Sequence, residues 1–132
     1  MLTRDNVTAA SRVMLPTYVL TFAALGANYV LTPAHTLTQS TALAFADGLM
    51  PLPVWGAVFL AASATMLTAI VVHRRLLFRF ALRVCAMSMF IWAVVIGLAS
   101  LGGEASPAAA VWPAFIAVAC MASDRSLAIG ER

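Results

Sequence analysis

Four long apolar runs divide this chain: Val13 to Leu31, Leu52 to Val72, Val84 to Leu101, and a shorter, alanine-rich one from Ala105 to Ala122. None contains Asp, Glu, Lys, Arg or His. Crossing the ~30 Å hydrocarbon core of a bilayer takes about 20 mainly apolar residues in a helix. Hydrophobic residues make up 63% of the 132 and charged residues 10%. A soluble domain carries about half and about a quarter respectively, so in water this chain would lack polar side chains to cover itself. The expectation is an all-α integral membrane protein, a compact four-transmembrane-helix bundle forming one domain over residues 1–132. The last run is the weakest. Pro107 suits a helix start, whereas Pro113 is expected to kink the helix. The alternative is three spans with a re-entrant or interfacial fourth segment.

The charge is placed as tellingly as it is withheld. All eight basic residues are arginine, and four of them fall in HRRLLFRFALR, residues 73–83. Cytoplasmic loops carry the excess of arginine, and short loops set orientation. With both termini cytoplasmic, Arg4, Arg12, Arg74, Arg75, Arg79, Arg83, Arg125 and Arg132 all lie inside. The outer connections, 32–51 and 102–106, then hold Asp47 and Glu104 and no basic residue. The expected location is a bacterial cytoplasmic (inner) membrane. Arg75, Arg79 and Arg83 recur every four residues, which lines them along one side of a helix, with Leu76, Leu77, Phe80 and Val84 around the other. The third helix is therefore expected to begin about two turns before its apolar run. There Arg74, Arg75, Arg79 and Arg83 can snorkel to anionic lipid headgroups. A voltage sensor would carry its arginines within a span. Nucleic-acid binding would need a broader basic surface with aromatic platforms, and no nucleic-acid partner is expected. The start of the chain has the outline of a signal peptide, but its apolar run continues through Tyr29, Val30 and Leu31. An uncleaved anchor is expected.

The outer connection TPAHTLTQSTALAFADGLMP is too apolar for a flexible linker. Leu37, Thr41, Ala44 and Phe45 share a helical face and Asp47-Gly48 supplies a stop, so a short interfacial helix on the outer membrane face is expected. His35 and His73 lie on opposite sides of the membrane, and no metal or other cofactor is expected. Catalysis and coupled transport in a membrane generally place ionisable groups within the spans. Their absence argues against an enzyme, and against exporters of the small multidrug resistance type, which depend on a glutamate in the first helix. Cys85 and Cys120 form no C-x-x-C pair and are expected to be reduced packing residues.

Candidate contact residues are of two kinds. Asn28 is an amide that seeks an interhelical partner, either inside the bundle or between copies. Small residues mark one face of the second span (Ala57, Ala61, Ala64, Thr68), of the third (Ala93, Gly97, Ser100) and of the fourth (Ala110, Ala114, Ala117). Such faces let helices approach closely within one bundle or between chains. Trp55 and Trp112 are expected as interface anchors.

The run PAHTLTQSTALAFADGLMPLPVWGAVFLAA, Pro33 to Ala62, resembles the small multi-span membrane proteins of phages infecting high-GC actinobacteria, several of them considered holins or lysis-associated. The resemblance implies a non-enzymatic protein of the host inner membrane that acts by oligomerising. It transfers no active-site residue. The tail SDRSLAIGER departs from the dense basic tail of many holins, pairing two arginines with two acids. Holin-like permeabilisation by a homo-oligomer is the leading expectation. The alternatives are an accessory or superinfection-exclusion protein with a membrane-protein partner, and a small transporter or channel.

Overall fold

A computed structural model of the chain describes the backbone of residues 4–129 and the side chains of residues 14–126 apart from Ala34 and Arg75. The described residues form six helices: α1 (Arg4–Leu31), α2 (Ala34–Leu37), α3 (Thr41–Leu49), α4 (Leu52–Val72), α5 (Arg75–Leu101) and α6 (Ala108–Ile129). Three of them are long and apolar enough to cross a membrane, over Met14–Leu31, Leu52–Val72 and Leu76–Leu101. The fourth segment is helical, but α6 starts three residues later than the run expected from 105 and continues past Asp124 and Arg125. It is not among those three. Alanine is only weakly apolar, and the two charges lie inside the helix. Pro113 is buried within α6, and the helix runs through it unbroken.

Local chemistry fixes the corners. Pro51 precedes α4 and Pro53 lies in its first turn, where a missing N–H costs nothing. Asp47 Oδ1 accepts the free N–H of Leu52 at 2.9 Å. At the other end of α4, His73 adopts a left-handed conformation (φ 54°) and its N–H donates to Ala69 O at 3.1 Å. Arg74 is extended, and α5 begins at the next residue. Two residues thus reverse the chain and make α4 and α5 antiparallel neighbours. α5 ends at Gly102 and Gly103, whose φ of 79° suits glycine. Ser106 Oγ then accepts the N–H of Ala108 at 3.3 Å.

The main helix contacts run α1 with α4, α4 with α5, and α5 with α6. α1 and α4 cross at two glycines: a Cβ built on Gly26 would stand 2.8 Å from Gly56 O and 2.9 Å from Leu60 N. Two turns away, Ser63 Oγ donates to Val19 O at 3.0 Å. Where α1, α4 and α5 meet, Phe22, Tyr29, Trp55, Phe59 and Trp92 interlock with ring centroids 5.0–6.0 Å apart. Edge and tilted contacts of this kind favour the negative ring face meeting a positive edge. Phe22, Phe59, Leu52, Met66, Leu82 and Met89 are among the largest fully buried side chains.

The outer connection differs from the single helix expected there. It contains two helices, and α3 runs on through Asp47 and Gly48 to Leu49. α3 packs on the ends of α5 and α4. Ala46 is fully buried and its carbonyl accepts Trp55 Nε1–H at 3.4 Å, while the Thr41 hydroxyl donates to Glu104 O. Those contacts make α3 a cap on the outer end of the bundle.

Candidate functional site

The charged end of the molecule is built by α5 and α6. The four-residue repeat of α5 presents Arg79 and Arg83 to the C-terminal half of α6. Arg79 Nε donates to Asp124 Oδ1 at 3.0 Å and Arg83 Nε to Oδ2 at 3.1 Å. One carboxylate is thus shared by two guanidiniums. Burial alone would push the Asp124 carboxyl up, but the hydrogen bonds and charges of Arg79 and Arg83 outweigh it and hold it below its ordinary value. Arg83, Arg74 and Arg125 remain exposed, so this end keeps a surplus of positive charge. Arg75 lies outside the described side chains, as does Arg132 outside the described residues. Arg74 stands over an open cavity of ≈540 Å³ walled by Val72, Leu76, Leu77 and Phe80. A guanidinium above an apolar wall suits a phosphate ester whose chain lies along that wall. The Tyr18 hydroxyl is buried at the same end, facing Ser123 and Cys120 across from α1. Cys85 and Cys120 are free thiols, both fully buried.

The expected contact residues separate into buried and bare ones. Ala57 and Ala61, with Ala64 and Thr68, lie on the exposed side of α4. They do not close the bundle, which corrects their assignment to packing within one chain. A rotation of 100° per residue turns the neighbouring Gly56, Ala62 and Ser63 inward instead. Ala93, Gly97 and Ala110 are half-buried and Ala114 is exposed, whereas Ala117 is buried. A Cβ on Gly97 would meet nothing within 4 Å, so this glycine is not a close crossing point. Asn28 is exposed on α1 and accepts a hydrogen bond from the Thr32 hydroxyl at 3.1 Å. Trp112 is 70% exposed and meets Phe115 edge to face. Trp55 is only 7% exposed and belongs to the aromatic centre, so it packs the core rather than standing free as an anchor.

Four functional positions were not apparent from the sequence. Gly26 and Gly56 were legible only as glycines in apolar runs. Asp47 acts as a remote cap, and Asp124 finds its arginines 41 and 45 residues away. The outer surfaces of the long helices are apolar throughout, with Leu20, Leu67, Val71, Met87, Phe90, Phe115 and Val118 exposed. Comparison with family models, curated proteins and solved structures returns no match. Function must therefore be reasoned from the chain's own chemistry.

Proposed function

We propose that this chain is a non-enzymatic, multi-pass protein of the bacterial cytoplasmic membrane, with α1, α4, α5 and α6 as spans and both termini inside. We further propose that it assembles laterally and permeabilises the membrane in the manner of phage holins. One observation carries the proposal: the bundle is filled at its centre and apolar on its outside. Burying a Leu or Phe side chain is worth about 1.5–3 kcal/mol. A surface bearing Leu20, Leu67, Phe90 and Phe115 together is therefore far better solvated by lipid tails than by water. The arginines at one end match the anionic headgroups of the inner leaflet, and Arg74 over its apolar cavity is a suitable headgroup contact.

The filled centre also bears on mechanism. Phe22, Phe59 and Trp92 occupy the middle of the bundle, and α3 covers its outer end. A water path along the axis of one chain would have to displace these rings. Any lesion is better formed between copies, which favours an assembling protein over a channel contained in one chain. The test is expression from a tight inducible promoter in a bacterial host, following membrane potential with a dye alongside culture density. Sudden depolarisation and growth arrest are expected once the protein has accumulated. Steady growth with intact potential, at a level of inserted protein confirmed by immunoblot, would overturn permeabilisation and favour a membrane partner protein.

A further inference from the structure

We infer that α1 is the contact between copies, joined through a reciprocal Asn28–Asn28 amide pair. This inference rests on the membrane reading above. Asn28 lies within the apolar window Met14–Leu31 and is exposed on the surface of α1. Its Oδ1 accepts from Thr32, while neither amide N–H has a partner among the described residues. An amide with spare donors facing lipid is costly, and the cost is relieved by a hydrogen bond to another helix. Within the chain no helix takes that place: α4 and the aromatic centre engage the side of α1 bearing Phe22, Gly26 and Tyr29.

A carboxamide both donates and accepts, so two copies related by a two-fold axis can each supply what the other lacks. The residues one and two turns before Asn28 on the same side are Ala24, Thr21 and Thr17. Their spacing of three and four residues keeps them on one stripe, and their small size lets a second helix approach closely. The Thr21 hydroxyl is already satisfied by Thr17 O at 2.8 Å, leaving Asn28 as the group that needs a partner. The exposed stripe on α4 offers no such demand, since Thr65 and Thr68 both donate to carbonyls of their own helix, at 2.7 and 2.8 Å. A second copy of this chain is therefore assigned to α1 and not to α4.

The experiment uses the full chain in vesicles of phosphatidylethanolamine and phosphatidylglycerol. Dimer fraction is read by energy transfer between labelled copies as protein is diluted with lipid. Asn28→Leu is expected to weaken association about three- to thirtyfold, the range for one interhelical hydrogen bond in a membrane, and Asn28→Gln to retain most of it. In parallel, Ala24→Cys is expected to form a disulfide-linked dimer under copper phenanthroline, and Leu20→Cys, equally accessible on another side of α1, to remain monomeric. Association of Asn28→Leu equal to wild type, or equal crosslinking at Ala24→Cys and Leu20→Cys, would overturn the inference. Carbonate extraction separates the two levels. Protein that stays inserted but does not associate overturns the contact alone, whereas extracted protein overturns the membrane reading with it.

Discussion

At the scale of single residues, Gly26 and Gly56 set how closely α1 and α4 approach. A Cβ on Gly56 would stand 2.7 Å from Val30 Cγ2 and 2.8 Å from Gly26 O, and one on Gly26 meets backbone just as closely. A carbonyl cannot swing aside like the end of a long side chain, so even alanine forces the helices apart. Gly26→Ala and Gly56→Ala are each expected to cost about 1–3 kcal/mol, the usual range for overpacking. Gly97→Ala has open space around its new methyl group and is expected to be neutral, or stabilising by up to about 1 kcal/mol from helix propensity. Unfolding of the purified protein by SDS in mixed micelles, followed through the fluorescence of the core tryptophans Trp55 and Trp92, would rank the three. If Gly26→Ala unfolds with wild type, the two helices do not cross where described. Nothing local in the sequence separates Gly26 from Gly97. Each is a glycine in an apolar run, and only the neighbour across the interface tells them apart.

At the scale of elements, α6 is fastened to α5 by one carboxylate at its charged end. Asp124 faces both Arg79 and Arg83, and its side chain is 14% exposed whereas that of Arg83 is 63% exposed. Solvent screens such a cluster, so Asp124→Asn is expected to destabilise the docked helix by only about 0.5–1 kcal/mol. The pH dependence has a definite sign. The folded carboxyl titrates below its ordinary 3.8, so the stabilisation is fully present above that value and is lost as pH falls through the lower, folded value. Proteolysis of the α6 C-terminus in inside-out vesicles should be faster for Asp124→Asn than for wild type at neutral pH. Equal rates would mean that the cluster does not hold α6. Much at this scale was legible beforehand. The second apolar run, Leu52 to Val72, has the bounds of α4, and the arginine repeat placed the start of α5 ahead of its apolar run. Both signals are local. The partition into α2 and α3, and the docking of α3 on α5, depend on contacts with residues such as Glu104, 63 positions from Thr41. The fourth segment was misjudged at both ends because Ser106 and Pro107 set its start, and helical structure continues through charged residues that end a hydropathic run. Asn28 was legible as an unusual group, but its exposure was not.

At the scale of the whole molecule, the two ends differ in charge, and this asymmetry should decide orientation. One end carries Arg74, Arg79, Arg83 and Arg125 with the single carboxylate of Asp124. The other carries Asp47, already engaged as a helix cap, and Glu104. Since positively charged loops stay on the cytoplasmic side, the turn at His73 should face inward and the connection around Gln39 outward. Cysteine labelling can read this directly, because Cys85 and Cys120 are fully buried and should give little background. His73→Cys leaves every arginine in place, and a non-glycine residue already occupies that left-handed position. In intact spheroplasts a membrane-impermeant maleimide should label Gln39→Cys and leave His73→Cys untouched until the membrane is opened. Labelling of His73→Cys in sealed cells would reverse the orientation, and with it the assignment of Arg74 and its apolar cavity to the inner leaflet. Labelling of both sites in sealed cells at low expression has a different meaning. The reagent would then be crossing a membrane already opened by the protein, and loss of that leak in Asn28→Leu would tie permeabilisation to the contact on α1.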